Sequence, residues 1–425
     1  MNNIILSDKK YEIVVIGMGY VGLTYSLHIN AHGYNVIGVE NNDNTRKLIN
    51  NSILPFFEDG LQGRLNNFVN QGLLKTLSPE DFKKSRTTLN KIYMVTVGTP
   101  IVERKLYRES LDKVFDFLKD VVEDYDAIVL RSTVALGLTR EYCELFDKIV
   151  YYCFAPERTI EGKAVHELST IPQVFGSNDY KSKDFFNNFF EEVSSEVRCV
   201  STTETAELVK LTSNVYRDVI FGFSNEISLI SHKQNIDVKE VIDACNYKYP
   251  RCNIYSSGPV GGPCLSKDSY ILADSIDESQ TKSIILNARR LNENYVIEIL
   301  NPLIKNVKKA SILGISFKGQ PLTNDTRDSY AITIIKFLKK NNINISAYDP
   351  VVFDEDFQKI GVKRDYSIEE SFTNKDLIII QNNNPIFKRM DLNKLSQLSN
   401  DKSIILDLWS LHPQINLINS KYIGL

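Results

Sequence analysis

The sequence predicts an α/β protein: two doubly wound, parallel-sheet domains joined by a helical middle domain with a long central helix. Three observations carry this. Gly17-Met18-Gly19-Tyr20-Val21-Gly22 lies between an apolar strand run and a helical pattern. Residues 203–234 hold helical apolar spacing with no proline. After residue 300, a second strand, loop, helix and strand pattern begins. At 425 residues the chain is too long for one ordinary core. The expected spans are 1–200, 201–300 and 301–425.

In the first span, Ile13 to Ile16 reads as a buried strand, then the glycine turn, a helix, and a second strand from Asn35 to Val39 ending at Glu40. That context turns a weak GxGxxG into a dinucleotide fingerprint, and the domain into a Rossmann-like one. Gly17 makes the turn, Gly19 lets backbone approach a pyrophosphate, and Gly22 lets helix pack on strand. The helix N-terminus supplies N–H groups and positive potential. Glu40 accepts from ribose hydroxyls and repels a 2′-phosphate, which favours NAD over NADP; Arg46 nearby pulls the other way. The same turn also fits another α/β domain. Three further strands end in polar residues: 91–100 in Gly98-Thr99-Pro100, 126–139 in Ser132-Thr133, and 148–165 in Pro156-Glu157-Arg158. Each alone also fits an ordinary capped loop. Their recurrence marks the sheet edge where open α/β sheets bind ligands.

In the middle span, Thr202 or Thr203 is the expected N-cap of the long helix, and Lys210 and Asn214 share one of its faces. On the helix alone that pair also fits a solvated face. A short helix follows, then GPVGGPCLSKDSYIL, residues 258–272. The cysteine, Cys264, is expected at a helix N-terminus, a place that favours thiolate, with Lys267 adding to the effect. Asp268 lies one turn on. A small hydrophobe at a turn is the alternative reading of the cysteine. Residues 283–300 read as another helix, carrying Arg289 and Asn292. Asn301-Pro302 is a candidate hinge. The last span has no GxGxxG; its loop offers Lys318, Asp325 and Arg327, a set suited to a diphosphate, or to simple surface charge.

Composition excludes several classes. A net charge of −3 argues against bulk nucleic-acid binding. No apolar run approaches the ~20 residues of a membrane helix. The N-terminal MNNIILSDKKYEI does not read as a secretory signal. The six cysteines show no CxxC pair and no metal spacing, so no metal site is expected and a reducing cytoplasm fits.

Taken in order, GMGYVG, VGTP, STV, APER, AELVKLTSN, GGPCLSKD, ARRLN, GISFKGQPLTNDTRDS and AYDP span nearly the whole chain. The set resembles the UDP-glucose/GDP-mannose dehydrogenase family of nucleotide-sugar 6-dehydrogenases. The resemblance implies oxidation of a sugar C6 hydroxyl to a carboxylate with two NAD in succession, for surface polysaccharide precursors. It implies Cys264 as the nucleophile that captures the C6 aldehyde. Lys210 would hold the C6 oxygen and stabilise its charge, with Asn214 in support. Asp268 would position or deprotonate water, Glu157 would be general base in thioester hydrolysis, and Thr133 would hold a water. Cofactor contacts would be Gly17, Gly19, Tyr20, Val21, Gly22, Glu40, Thr99, Thr133, Lys267 and Arg327. Nucleotide-sugar contacts would be Glu157, Arg158, Lys210, Asn214, Arg251, Gly261 and Lys318, with Arg251 reaching across a homodimer built on the long helix.

One departure and one branch resemblance bear on the substrate. Pro263 stands where N-acetylmannosamine enzymes often carry His and glucose enzymes Ser. APERTIEGKAVHEL resembles the N-acetylhexosamine branch more than the glucose branch, so a UDP-N-acetylhexosamine is expected, N-acetylmannosamine first. A second departure, LTYSLHI after the fingerprint, touches helix packing and spares phosphate binding. UDP-glucose is the alternative, and more distantly a single-hydride β-hydroxyacid or 6-phosphogluconate type dehydrogenase, which needs no nucleophilic cysteine. A non-catalytic NAD-binding protein has no use for Cys264, Lys210, Asn214 and Asp268 together. The five histidines fall outside the nine family motifs given above, against a His-based 2-hydroxyacid dehydrogenase.

Overall fold

The computed structural model describes residues 11–85, 89–276, 282–412 and 415–425. Most of the N-terminal stretch weighed above as a signal, residues 1–10, lies outside them. The chain divides into two compact units, Met1–Ser213 and Asn214–Leu425, and the division falls within the long helix, Thr203–Gln234.

The first unit holds β1 (Tyr11–Ile16), β2 (Val36–Val39), β3 (Leu74–Leu77), β4 (Asn90–Val95), a small hairpin of β5 (Ile101–Val102) and β6 (Lys105–Leu106), then β7 (Ala127–Leu130), β8 (Tyr151–Phe154), β9 (Gln173–Gly176) and β10 (Val197–Val200). Eight of these form one sheet in the order β10-β9-β8-β7-β4-β1-β2-β3. The apolar run of β1 is buried on both faces, as parallel strands require. Ile13 and Val15 pack with Leu23 and Leu27, while Val14 and Ile16 pack with Leu111, Phe115 and Leu118. Alternate residues thus feed separate cores, with helices on each face. The sheet is not wholly parallel. β9 pairs β8 antiparallel through Phe154 and Gly176, and β10 follows β9 in parallel. Gly176 packs where the chain enters the long helix: a Cβ there would lie 2.1 Å from the Thr202 carbonyl.

Thr202 caps the long helix, its hydroxyl accepting from Thr205 N–H at 3.1 Å. In the second unit β11 (Lys309–Leu313), β12 (Asn344–Tyr348), β13 (Lys363–Arg364), β14 (Leu377–Ile380), β15 (Ser403–Asp407) and β16 (Ser420–Gly424) form an all-parallel sheet, ordered β13-β12-β11-β14-β15-β16. Its alternate residues again split between two cores, Leu377 and Ile379 against Ile378 and Ile380. The expected hinge at Asn301-Pro302 is absent, because the Ile284–Leu303 helix runs through Pro302. Proline there removes a single hydrogen bond near the helix end, while Tyr295, Val296, Ile299 and Leu300 hold the helix on the core. Among the described residues, no helix is long and apolar enough to cross a membrane.

Candidate active site

In the first unit the fingerprint glycines differ in what they are needed for. Gly17 has φ +89°, a left-handed turn that a side chain resists. A Cβ on Gly22 would lie 1.9 Å from the Gly17 carbonyl oxygen, whereas among the described residues a Cβ on Gly19 would meet no atom within 4 Å. Gly19 is the N-cap of the Tyr20–Ala31 helix, which has no side-chain cap and no acidic residue in its first turn. The open cradle and the uncapped N–H groups fit a dinucleotide pyrophosphate. Glu40 sits at the end of β2, accepting from Met18 N–H and Asn42 N–H at 2.8 Å each. Arg46 spends its guanidinium on the Glu40 and Asn41 carbonyls and on Asp43.

The strands β8, β7, β4 and β1 are sheet neighbours, and the first three run parallel to β1. Their carboxyl ends, with buried Thr99, half-buried Thr133 and Glu157, therefore share the edge of the glycine turn. Glu157 is tightly engaged. Arg131 donates to it at 2.7 Å, and the N–H groups of Arg158 and Thr159 donate at 2.8 Å each. Arg131 is buried, lies 3.8 Å over the Tyr25 ring and also donates to Gln173. Burial pushes the Glu157 carboxyl up, but the Arg131 charge and the Thr159 N–H outweigh it and hold it below its ordinary value. A carboxylate so held stays ionised and keeps a fixed orientation. The Arg158 guanidinium donates to the Pro172 carbonyl at 2.6 Å. Lys210, 9% exposed, donates its Nζ to the Glu157 main-chain oxygen at 2.5 Å.

In the second unit Cys264 is the N-cap residue of the Leu265–Ala273 helix and is exposed. Asp268 N–H donates to the Cys264 carbonyl at 3.0 Å, closing the first turn. Asp268 is fully buried and accepts from Asn214 Nδ2 at 2.6 Å and from Lys267 Nζ at 2.7 Å. Lys267 thus gives its charge to Asp268. The loop before the cysteine is braced from behind. Arg289, 2% exposed, pairs with Asp218 at 2.9 Å and donates to the carbonyls of Val260 at 3.3 Å and Leu265 at 3.1 Å. Asn292 and Ser269 complete the Asp218 shell. Burial raises the Asp218 carboxyl above its ordinary value in spite of Arg289. Among the sequence candidates, Arg289 and Asn292 had no role, and Asp218 carried no motif signal.

The glycines of the loop permit a close approach of two loops. A Cβ on Gly261 would lie 2.6 Å from the Asp328 carbonyl, and one on Gly262, with φ +93°, 2.6 Å from the Phe317 ring. They let the cysteine loop close on the 316–330 loop of its own unit. In that loop Arg327 is exposed and forks onto Asp325, with Nε at 2.9 Å and Nη2 at 2.5 Å. The Lys318 ammonium lies 5.1 Å from the Phe317 ring centroid. Arg251 is exposed and lies 4.5 Å over the Tyr249 ring.

The first unit's dinucleotide cradle, at a switch-point edge, is that of a nicotinamide-dependent oxidoreductase. Residues 11–194 match the NAD binding domain of the UDP-glucose/GDP-mannose dehydrogenase family, 204–294 its central domain and 311–413 its UDP binding domain. The chain is 30% identical over 409 residues to UDP-N-acetyl-D-mannosamine dehydrogenase of Methanocaldococcus jannaschii, covering 93% of this chain and 91% of that one. It is 27% identical to NDP-N-acetyl-D-galactosaminuronic acid dehydrogenase of Ralstonia nicotianae, covering 90% and 93%. Its fold is similar to that of the UDP-D-ManNAc dehydrogenase of Pyrococcus horikoshii, with a TM-score of 0.86, 26% identity and coverage of 97% and 98%. The chain belongs to the UDP-glucose/GDP-mannose dehydrogenase family and is an NAD-dependent nucleotide-sugar dehydrogenase.

Proposed function

We propose that this enzyme oxidises the C6 hydroxyl of a UDP-N-acetylhexosamine, UDP-N-acetylmannosamine first, to the uronic acid through a covalent Cys264 intermediate. The observation that carries the reading is the Cys264 helix start, with Asp268 one turn on, held between Asn214 and Lys267. Bound NAD supplies the hydride acceptor, once per oxidation step. Lys210 and Asn214, one turn apart on one helix, hold the C6 oxygen and its developing negative charge. Loss of one hydride and one proton turns the alcohol into an aldehyde. The Cys264 thiolate adds to the aldehyde carbon, giving a thiohemiacetal. Loss of a second hydride and the hydroxyl proton leaves a thioester. Water adds to it, the C–S bond breaks, and carboxylate and thiol result. Asp268 positions or deprotonates that water and Thr133 helps hold it. Glu157, oriented by Arg131, is the general base in thioester hydrolysis.

The sugar preference rests on the APERTIEGKAVHEL stretch, and the names of the relatives agree with it. We further propose a three-part division at about residues 200 and 300, following the family matches, and action in the cytoplasm on surface polysaccharide precursors. A homodimer is supported by Tyr216, Phe223 and Ile230, each about half exposed, at seven-residue spacing on the long helix. The test of mechanism is Cys264→Ser, assayed with UDP-N-acetylmannosamine. Steady uronate formation should stop while NAD binding stays within twofold. Full uronate with two NADH per sugar from that variant would end the covalent mechanism. Initial rates across UDP-glucose and the UDP-N-acetylhexosamines decide the sugar, and a preference for UDP-glucose would reject the assignment.

A further inference from the structure

Tyr20 is the first residue of the fingerprint helix, a place from which a side chain is expected to serve the dinucleotide. Its hydroxyl turns elsewhere. It donates to Glu58, a carboxylate only 4% exposed in the segment that precedes the Leu61–Asn70 helix. Glu58 in turn accepts from the backbone N–H of Gly162 at 2.6 Å and of Ala164 at 2.8 Å. Gly162 N–H also reaches the Tyr20 hydroxyl at 3.1 Å. The Phe56 ring lies 4.9 Å from the Tyr20 ring and closes the side of the cluster. Burial, then Glu58, push the Tyr20 phenol well above its ordinary value, so it remains a donor at any working pH.

The segment that Glu58 grips begins at Glu157. Five of its N–H groups are taken up by three carboxylates in turn. Glu157 binds Arg158 and Thr159, Glu167 binds Ile160 at 2.7 Å, and Glu58 binds Gly162 and Ala164. A half-buried irregular loop whose N–H groups bond carboxylates has no sheet ladder to fall back on. Its shape depends on these acceptors, and the last of them is oriented by Tyr20.

We infer that Tyr20 is a positioning residue for the 157–164 loop, acting through Glu58, and so serves the nucleotide-sugar side of the site rather than the cofactor. This rests on the proposed reading of that loop as part of the sugar site. The link gives the first turn of the cofactor helix and the loop a shared hydrogen-bonded carboxylate, so a mutation in the fingerprint is felt in the loop.

The test is Tyr20→Phe in the full chain, with Glu58→Gln as the second variant. Tyr20→Phe should raise the KM for UDP-N-acetylmannosamine about tenfold, the order expected for one charge-assisted hydrogen bond, with the KM for NAD within twofold. Hydrogen exchange at the Gly162 and Ala164 amides should quicken, while the amides of the Tyr20–Ala31 helix keep wild-type rates. Glu58→Gln should move the same quantities in the same direction. A rise in the KM for NAD as large as that for the sugar nucleotide, or unchanged exchange at Gly162 and Ala164, overturns the inference. If wild-type protein turns over no nucleotide sugar, the functional reading fails, and the exchange rates still decide the link.

Discussion

Two alanine substitutions three residues apart should separate a glycine that serves the ligand from one that serves the fold. Gly22→Ala would place a Cβ 1.9 Å from the Gly17 carbonyl oxygen and 2.7 Å from Thr96 Oγ1. Relief requires the helix and turn to separate by about 1.5 Å, since non-bonded carbons prefer roughly 3.5–4.0 Å. Overpacking of that kind costs about 1–3 kcal/mol, which for a unit of this size lowers Tm by about 2–12 °C. Gly19→Ala meets no protein atom, and Gly19 has φ −71° and ψ −162°, an extended conformation alanine adopts freely. Its stability change balances a gain of about 0.4–1 kcal/mol from a stiffer unfolded chain against a similar loss of N-cap preference, so Tm stays near wild type. The new methyl instead stands where a pyrophosphate approaches the helix N–H groups. Loss of one such charge-assisted hydrogen bond weakens NAD about 10- to 100-fold. Calorimetric Tm and NAD titration, run on both variants, check this. If Gly19→Ala keeps wild-type NAD affinity, or loses as much Tm as Gly22→Ala, the assignment of the two glycines is wrong.

His28 and Phe223 give two more tests. His28 is buried, donates to the Val193 carbonyl at 2.6 Å, and burial lowers its pKa from 6.5 to about 4. Between those values the unfolded chain binds the proton and the folded one does not, so stability falls as pH drops, by roughly 2 kcal/mol at pH 5. His28→Gln should lose that slope, measured by urea unfolding at pH 7 and pH 5; an unchanged slope would place the acid sensitivity elsewhere. Phe223→Asp, in the exposed stripe of the long helix, should give a monomer by light scattering where wild type gives a dimer, and a monomeric wild type would remove the dimer proposal.

Much of the fold was legible because local patterns carried it. The run Ile13 to Ile16 and the glycine turn marked strand and helix, and proline-free spacing marked the long helix from 203 to 234. The cysteine at a helix start followed from the breakers before it. What stayed hidden depends on partners distant in sequence. Glu157 stood out in APER, but its partner Arg131, 26 residues away, did not. Glu58 and Asp218 carry no local signature, yet one grips Gly162 and the other braces the cysteine loop through Arg289. The reversal at β9 was invisible for a related reason: a short buried strand shows its burial in sequence and not its direction. The Asn301-Pro302 break failed because packing of Val296 and Leu300 outweighs one lost hydrogen bond.

The second unit shows why the fingerprint was found once when its turn is built twice. After β1, Gly17 at φ +89° donates to the Val39 carbonyl, and Met18 N–H donates to Glu40 at the end of β2. After β11, Gly314 at φ +90° donates to the Tyr348 carbonyl, and Ile315 N–H donates to Asp349 at the end of β12. The likeness stops there. In the first unit a helix begins at Tyr20, almost at once, with an uncapped N-terminus. In the second, the next helix waits until Tyr330, and Ser329 caps it. Asp349 is the shorter acid, and it accepts from Ile315, Ser316, Val351 and Val352 N–H groups. That shell leaves it to hold its own turn, whereas Glu40, longer by one methylene, binds two N–H groups and keeps acceptor capacity for a ribose. Glycine at the turn makes a Rossmann-like half; an immediate uncapped helix and an acid with spare lone pairs make it a dinucleotide site. The second half lacks both, and the charged groups of its loop that the sequence named are Lys318 and the Asp325–Arg327 fork.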